Sequence, residues 1–373
     1  MNFKIIEVEN KSQKKRFVKS QWNFYKGDSN FVPPLVYDRM KLLDTEKNPF
    51  YKHSEIKLWL AESNGEIIGR IAGIINDNHN IQHNDNIGFF GFFECINNAD
   101  VAKELLDAAE NWLKSKGKTG MRGPVNPSMN DENAILIEGF NEPPRILMPY
   151  NPPYYAELMD KCGMHKAKDL LAYKLEYEKY VTDKMKRMQS LLKERHQITI
   201  RDINFKNKEQ FRKDVKTLKE IYNAAWQPNW GFVKMTDEEF DFMANDLKPI
   251  ANPRVAFIAE IKGQPAAFHL GLPDLNQVLI HNKKGSMAGA LWQMTTKKKH
   301  INIMRIIVLG VLPQYQRTGV DAVIYYESGE RAHQLGMDIG EASWILEDND
   351  MMNRGLTTTM SGYVYKKYRI YER

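Results

Sequence analysis

Apolar and polar residues alternate along this chain in a pattern that predicts paired strands, and the pattern occurs twice. Segments 57–74 and 255–272 each hold two apolar stretches joined by a short Gly turn, which is typical of a β-hairpin. The turn glycines Gly65 and Gly263 are 198 residues apart, and the glycines Gly163 and Gly362 are 199 apart. Matching separations predict two copies of one fold. Two unrelated domains are the alternative, since hairpins with a Gly turn are common.

The remaining pattern gives each copy a similar order of elements. In the first copy we predict helix Ser12–Tyr25, strand Ile87–Phe93, helix Asp100–Lys116, strand Gly120–Val125, a Pro-rich crossing at 143–153 and helix Tyr154–Cys162. In the second copy we predict helices Lys208–Ala225 and Asp237–Leu247, strand Asn302–Val311, helix Val320–Leu335, strand Ile339–Leu346 and a helix from about Met351. The fold class is therefore mixed α/β (α+β), with a partly antiparallel sheet. The predicted domains are residues 1–175 and 197–373, joined by a linker helix at 176–196.

Composition narrows the class of partner. The net charge of +6, from 53 basic and 47 acidic residues, is compatible with an anionic cofactor and also with no anionic partner at all. No dense basic stripe indicates a nucleic-acid partner, and the basic run 297–299 is interpreted as a solvated loop. Cys95 and Cys162 lack metal spacing, which indicates a reducing compartment. The N-terminus does not resemble a signal peptide, and no window approaches the roughly 18 apolar residues of a membrane span. We therefore expect a cytoplasmic protein without a membrane partner, of undefined oligomeric state.

Segment Ile306–Tyr326 carries the most specific chemistry, because an apolar strand leads through a short polar turn into a helix. The first N–H groups of such a helix are unpaired and its dipole is positive there, so the turn suits a diphosphate. Gly319 lets the backbone approach a ligand closely. Asp321 complicates this interpretation, because it places a carboxylate near the anion.

This segment resembles the acyl-CoA-binding segment of the Gcn5-related N-acetyltransferases (GNAT superfamily), whose loop pattern is Gln/Arg-x-x-Gly-x-Gly/Ala. Gln316 and Gly319 match the pattern, and Asp321 departs from its last small residue. Segment 342–349 resembles the next strand of that fold. The resemblance implies two tandem acyl-CoA N-acyltransferase-like domains and, as co-substrate, acetyl-CoA or another acyl-CoA, without a metal. The cofactor-binding residues it implies are Leu309, Val311, Gln316, Arg317, Thr318, Gly319 and Val320.

The proposed chemistry is attack of an amine on a thioester. A fixed N–H near Leu309–Val311 would stabilise the developing oxyanion, and a partly buried carboxylate would accept the amine's proton. Glu341 is the first candidate for that base, with the alternative that it and Glu347 are solvated strand ends. Asn349 either orients the cofactor or caps the last helix. The family's tyrosine before the final Gly is replaced by Thr359, so the acid for the leaving thiolate is unassigned.

Two interpretations of Asp321 stay open. Its carboxylate either complements the dipole of the helix while the neighbouring N–H groups hold the phosphates, or it occupies the anion site and marks a copy that has lost CoA. The first copy has Glu94-Cys95-Ile96-Asn97-Asn98-Ala99 at this place, without Gly or a basic residue. We therefore expect the first copy to be a degenerate, structural one.

Two polar clusters in the second copy are candidates for the acceptor site. Asn229 and Trp230 follow the first helix, and Asp274 and Asn276 follow the hairpin. Asp274 would pair with the amine of the acceptor; a core aromatic and a Pro-Asp turn are the equally weighted alternative. His79 and His83 have i, i+4 spacing, but no helix pattern surrounds them and no third ligand is evident, so no metal site is predicted.

The sequence thus predicts an acyltransferase that moves an acyl group from acyl-CoA to the amine of a small-molecule acceptor. Two alternatives remain. One is a non-catalytic ligand-binding or scaffold protein of the same fold, favoured if Asp321 blocks the loop. The other is a transferase of the doubled fold that uses aminoacyl-tRNA, which the modest charge disfavours.

Overall fold

A computed structural model describes all residues from Met1 to Arg373. The chain forms two compact units that are not two consecutive halves. The first unit consists of Met1–Leu170, Val278–Lys298 and Lys366–Arg373, and the second of Leu171–Gln277 and Lys299–Tyr365. Two segments from late in the sequence therefore belong to the first unit.

The elements are numbered along the chain. The strands β1 to β15 span Lys4–Glu7, Ser54–Ser63, Glu66–Asn76, Ile87–Cys95, Gly120–Gly123, Val125–Asn126, Glu132–Asn133, Ile135–Glu138, His165–Glu176, Ile198–Asp202, Ala256–Ile261, Gln264–Pro273, Ile303–Val311, Ile339–Leu346 and Tyr363–Glu372. The helices α1 to α13 span Lys11–Lys19, Val36–Leu42, Asp77–His83, Ala99–Ser115, Tyr155–Lys161, Tyr177–Tyr180, Asp183–His196, Lys208–Trp226, Asp237–Leu247, Asn276–Leu279, Met287–Lys297, Val320–His333 and Asp350–Arg354.

The first unit is a sheet in the order β1-β2-β3-β4-β5-β15, with β8 also paired to β15. Strands β2, β3 and β4 are antiparallel, and β4 pairs in parallel with β5 over only three residues, from Ile87 to Phe89. Helix α4 connects these two parallel strands and buries Val101, Leu105 and Leu113 against the sheet. The apolar residues of α4 that the sequence pattern predicted to face the core are thus the ones that pack against the sheet.

The second unit repeats this order with β9-β14-β13-β12-β11-β10. Strands β11, β12 and β13 are antiparallel, β13 pairs in parallel with β14, and α12 connects that parallel pair. The hairpin, crossover helix and short parallel pairing thus occur in both units, which confirms the prediction of a tandem mixed α/β fold.

Each face of the second sheet is covered by different helices. On one face Leu309 and Val311 pack with Val320 and Val323 of α12. On the other face Val308 belongs to a cluster formed with residues of α8 and α9. Side chains of successive strand residues point to opposite faces, so β13 contributes to both layers.

Some elements differ from the predicted ones. Residues Asp77–His83 form α3, so the prediction that no helix surrounds His79 and His83 is wrong. The side chain of Asn76 accepts from the N–H of His79 and begins this helix, and His79 is buried against Phe89 with its ring 4.8 Å away. The sequence of α3 lacks the apolar period of a helix, and tertiary packing stabilises the helix instead. Strands β9, β10 and β15 were not predicted. No helix has the length and apolar content needed to cross a membrane.

Candidate functional site

The strands β13 and β14 separate partway along their length. Their parallel pairing extends only from Ile303↔Ile339 to Ile306↔Ala342, while β13 stays paired with β12 as far as Val311↔Ala267. The residues of β13 after Ile306 therefore have a strand on one side only. The outer edge of β13 after Ile306 therefore has no strand partner, and we call the space beside this edge the slot.

The backbone of Leu309 and Val311 faces that slot. The N–H of Leu312 donates to the carbonyl of Ala266 in β12, at 2.9 Å. Because successive N–H groups of a strand point to alternate sides, the N–H of Gly310 also points towards β12. The N–H groups of Leu309 and Val311 then point away from β12, into the slot.

Beyond the slot, β13 leads into a turn with two left-handed residues before α12. Arg317 has φ 69° and Gly319, the N-cap of α12, has φ 78°. Thr318 stabilises the turn, because its hydroxyl donates to the carbonyl of Tyr315 at 2.6 Å and accepts from the N–H of Val320 at 3.4 Å. A Cβ on Gly319 would lie 2.9 Å from the side chain of Leu192. The left-handed backbone conformation favours Gly at this position, and a Cβ there would also displace the end of the Leu192 side chain.

The turn presents a group of unoccupied donors. The backbone N–H groups of Arg317, Gly319, Asp321 and Ala322 donate to no acceptor in the protein. They lie at the N-terminus of α12, where the helix dipole is positive. Gly319 has no side chain that could cap them. The turn therefore has the chemistry of an anion site.

The carboxylate of Asp321 does not fill this group of donors. Asp321 is exposed on the first turn of α12, and its carboxylate accepts no hydrogen bond from the N–H groups of the turn. Gln316 and Arg317 are exposed as well, whereas Val320 is buried in the cluster with α12. The donors of the turn thus remain available beside Asp321.

Glu341 lies at the last paired stretch of β14 and is buried, with 1% of its surface exposed. The hydroxyl of Ser343 donates to its Oε1 at 2.6 Å, and the hydroxyl of Tyr365 donates to its Oε2 at 2.5 Å. The guanidinium of Arg305 lies 4.0 Å from Oε1 and donates to Ser343. Glu341 is therefore not a solvated strand end.

From the sequence no role was assigned to Tyr365, nor to Ser343 and Arg305 of the same network. The hydroxyl of Tyr365 links the buried carboxylate of Glu341 to a side chain that is only half-buried. The ammonium of Lys174 lies 5.9 Å from the centre of its ring. No local signal in the sequence links Tyr365 to Glu341, which lies 24 positions earlier.

The other candidate residues lie in different places. Asn349 accepts from the N–H of Met352 at 3.2 Å and so caps α13, the second of its two predicted roles. Asn229 begins a turn directly after α8, where its N–H donates to the carbonyl of Trp226, and Trp230 follows it. The ring of Trp226 lies against Gly310, so this turn is close to the slot.

Asp274 and Asn276 lie near the opposite end of β13. The N–H of Asp274 donates to the carbonyl of Ile303 at 2.9 Å, and its carboxylate accepts from the N–H of Asn276 at 3.3 Å. At about 3.3 Å per residue, Ile303 is roughly 20 Å from Leu309 along the strand. The structure thus places the end of α8, which precedes Asn229 and Trp230, against β13 at Gly310, and it places Asp274 and Asn276 at the other end of that strand.

The corresponding strand of the first unit is closed by its own side chains. When Ile87 and Ile303, the first residues of β4 and β13, are matched, Cys95 takes the place of Val311. The N–H of Cys95 donates to the hydroxyl of Tyr155 at 2.9 Å, and the hydroxyl of Tyr154 donates to the carbonyl of Cys95. Groups that are open in the second unit are therefore satisfied internally in the first.

Further contacts close the same region of the first unit. The N–H of Phe92 donates to the side-chain carbonyl of Asn126 at 2.6 Å, and a Cβ on Gly91 would lie 1.6 Å from the carbonyl oxygen of Val125. Asn98 caps α4 with its side chain, which accepts from the N–H of Val101. Both the strand edge and the helix N-terminus are occupied.

The histidines have structural surroundings. His269 is fully buried: its Nδ1 is 3.1 Å from the carbonyl oxygen of Val255, and its Nε2 is 2.8 Å from the hydroxyl of Ser328. Burial lowers the pKa of His269 to about 4. His79 pairs with Asp85 at 3.2 Å, and burial also lowers its pKa to about 4. No group of three or more His, Cys, Asp or Glu side chains is arranged to hold a metal ion.

Comparison with known proteins places the chain in a family. No protein-family model matches it. Protein YghO of Escherichia coli (strain K12) is 35% identical to it over 374 residues, which span 98% of this chain and 93% of YghO. The bacterial ceramide synthase of Caulobacter vibrioides (strain NA1000 / CB15N) is 31% identical over 380 residues, which span 99% of this chain and 97% of the synthase.

Solved structures agree on the fold. A tandem GNAT protein from the clavulanic acid biosynthesis pathway has a TM-score of 0.59 at 11% identity, covering 100% of this chain and 98% of that one. A GCN5-related N-acetyltransferase from Sphaerobacter thermophilus has a TM-score of 0.54 at 11% identity, covering 100% and 95%. The chain has the tandem GNAT fold and belongs to the family that includes the protein YghO and the bacterial ceramide synthase.

Proposed function

We propose that the second unit is an N-acyltransferase, which moves an acyl group from acyl-CoA to the amine of a small-molecule acceptor. The observation that carries this proposal is the open edge of β13, where the N–H groups of Leu309 and Val311 face a slot that leads to the unoccupied N–H groups before α12. An acyl-CoA needs both features, one for its thioester and one for its diphosphate.

The diphosphate of CoA would bind at the turn before α12. The N–H groups of Arg317, Gly319, Asp321 and Ala322 would donate to its oxygens, and the helix dipole would favour its charge. The pantetheine arm carries amide groups and would pair with the open edge of β13 like an added strand. The exposed position of Asp321 supports the interpretation in which it stands beside the phosphates without replacing them.

The reaction joins the amine nitrogen to the thioester carbon. As the new C–N bond forms, the carbonyl oxygen becomes negative, and the N–H of Leu309 or Val311 would donate to it. A fixed donor of this kind stabilises the transition state by about 3 kcal/mol. The C–S bond then breaks, the sulfur leaves as thiolate and takes up a proton, and the nitrogen loses one.

We propose that Tyr365 and Glu341 accept the proton of the amine. The phenol oxygen of Tyr365 would take the proton while its own hydroxyl proton passes to Oε2 of Glu341, along the 2.5 Å hydrogen bond between them. Ser343 and Arg305 hold the other carboxylate oxygen in place. General base catalysis of this kind contributes about 100-fold or more to the rate.

A long-chain amino alcohol is the acceptor class with the most support. A ceramide is the amide of a fatty acid with such an amine, and one relative is named a bacterial ceramide synthase. A narrow apolar cavity of about 50 Å³ also lies between α8, α9 and β13, with Val308 among its lining residues. It is on the face of β13 opposite α12. An alkyl chain that parts α8 from α9 would leave its amine near the slot.

The first unit is proposed not to bind acyl-CoA, since Tyr155 and Tyr154 already use the backbone of Cys95. No observation favours a scaffold protein or a transferase that uses aminoacyl-tRNA.

The test is an acyl-transfer assay with purified protein. Acyl-CoAs of different chain lengths are mixed with a long-chain amino alcohol, free CoA thiol is measured with a thiol reagent, and the amide is identified by mass spectrometry. We expect thiol release that depends on the acceptor and an equal amount of amide. Release of thiol without amide, or none with any amine acceptor, would contradict the proposal.

A further inference from the structure

Helix α11 belongs to a connection that is much longer in the second copy than in the first. Between β12 and β13 the chain runs through residues 274–302, whereas the equivalent connection between β3 and β4 covers residues 77–86. From Val278 to Lys298 this connection is part of the first unit. The strands and helices that the two copies share do not include α11.

The outward face of α11 is apolar. Met287, Leu291 and Trp292 are exposed to 50%, 65% and 65% of their surfaces, and their i, i+4, i+5 spacing places them on one side of the helix. The inward side holds Ala290, which is buried, and Gln293. A helix that only covers its own unit has the opposite distribution.

Lysines flank this apolar face at both ends of α11. Lys283 and Lys284 precede the helix, Lys297 and Lys298 end it, and Lys283, Lys284 and Lys298 are exposed. No carboxylate lies within salt-bridge distance of these four lysines. The pKa of His281 is lowered first by partial burial and then by the charges of Lys297 and Lys283, so lysines from both ends of the segment lie near one point.

The segment is held firmly on the first unit. The N–H of Val36 donates to the carbonyl of Gly285 at 3.0 Å, and the indole N–H of Trp22 donates to the carbonyl of Lys283 at 2.7 Å. Gly285 has φ 58°, and a Cβ there would lie 2.2 Å from the carbonyl oxygen of Pro34.

We propose that α11 docks on the surface of a lipid bilayer that contains anionic headgroups. Its apolar side chains, Trp292 among them, would enter the boundary between headgroups and acyl chains, and its lysines would contact the headgroup phosphates. The unpaired lysines favour this occupant over a second protein, since they complement an anionic surface. A helix lying in the interface needs no spanning segment, so this proposal departs from the sequence-based expectation of no membrane partner.

The inference does not depend on the transfer reaction. A peripheral helix would bring a lipid-modifying enzyme to its acceptor, yet the docking itself is measured with vesicles alone. Binding without activity would leave this proposal standing and remove the proposed function; activity without binding would do the reverse.

The experiment is flotation of the full chain with vesicles of phosphatidylcholine and phosphatidylglycerol, compared with vesicles of phosphatidylcholine alone. We expect binding to the anionic vesicles that decreases as salt rises. The double variant Leu291→Glu/Trp292→Glu should lower the bound fraction about tenfold or more. Ile81→Glu is the matched control, because Ile81 is 79% exposed on α3 in the same unit. It should bind like the wild type.

Three results would overturn the proposal. They are absence of wild-type protein from the floated vesicles, equal loss of binding in Ile81→Glu, and a wild-type dimer in light scattering that Leu291→Glu/Trp292→Glu converts to a monomer without changing flotation. The last result would assign the face to a second copy of the chain. Circular dichroism of each variant shows whether it is folded, and Lys297→Glu/Lys298→Glu tests the charges separately, since it should weaken binding to anionic vesicles only.

Discussion

The phenol oxygen of Tyr155 accepts a hydrogen bond of 2.9 Å from the backbone N–H of Cys95. In the second unit the residue matched to Cys95 is Val311, whose N–H faces an open slot. The same backbone N–H is therefore hydrogen-bonded in the first copy of the fold and open in the second. The proposed division of roles between the copies depends on this difference.

Replacing Tyr155 should destabilise the first unit and leave cofactor binding unchanged. Tyr155→Phe removes the acceptor for the N–H of Cys95 and a donor to the buried carboxylate of Glu94, at 2.7 Å. Leaving a buried polar group unpaired costs about 1–3 kcal/mol. Urea denaturation would measure the loss, with Tyr37→Phe, an exposed tyrosine of the same unit, as control. A large change in acyl-CoA affinity would contradict the assignment of the first unit.

Replacing Tyr365 should slow transfer without weakening the binding of acyl-CoA. Tyr365→Phe keeps the ring but removes the hydroxyl that donates to Glu341, so kcat should fall about 100-fold. Tyr363→Phe, on the same strand and 45% exposed, is the control. If Tyr365 acts through Glu341, then Glu341→Gln should add little to the effect of Tyr365→Phe. An unchanged kcat in Tyr365→Phe would exclude the proposed proton path.

Removing the carboxylate of Asp321 should strengthen the binding of CoA. Asp321→Ala deletes an exposed negative charge beside the N–H groups that would hold the diphosphate. Because the charge is exposed to solvent, we expect a gain of about 2- to 5-fold that shrinks at high salt. Calorimetric titration with CoA at two salt concentrations checks this. Glu220→Ala, an exposed residue of α8, should have no effect. Weaker binding by Asp321→Ala would mean that the carboxylate supports the site.

His269 should make the second unit sensitive to acid. Its pKa is about 4 in the folded protein because of burial, against 6.5 for an ordinary histidine, so the unfolded chain binds the proton more readily. The stabilisation is complete above about pH 6.5 and is lost as the pH falls towards 4, by roughly 3 kcal/mol in all. The urea midpoint of His269→Gln should change less than that of the wild type between these values. Parallel curves for the two proteins would contradict this role.

Local patterns predicted much of the fold. Strand Ile339–Leu346 and helix Asp237–Leu247 have the predicted bounds, because an apolar run and a capping Thr236 before an acidic first turn are encoded in neighbouring residues. Strand Tyr363–Glu372 was missed. It belongs partly to the first unit, and no local pattern records that pairing.

Local patterns likewise predicted only part of the candidate site. The turn at Gln316–Val320 follows from a strand, a Gly and a helix in sequence order, and the structure gives it unoccupied donors. Tyr365 and Tyr155 could not be assigned, because their roles depend on contacts with Glu341 and Cys95 that lie 24 and 60 positions away. Asp274 could not be separated from the slot by sequence alone, since only the register of β12 and β13 shows which end of the strand it occupies.

Calorimetric titration of acyl-CoA into the wild type and two glycine variants tests the proposed cofactor site directly. Gly319→Ala introduces a Cβ at φ 78° and 2.9 Å from Leu192, and should distort the turn that holds the diphosphate. Gly263→Ala introduces the same backbone strain at φ 75° in a hairpin turn with open space around it. We predict one acyl-CoA per chain, a loss of affinity of about tenfold or more in Gly319→Ala, and unchanged affinity in Gly263→Ala. No binding by the wild type, or equal affinity in all three proteins, would exclude an acyl-CoA site at the turn before α12.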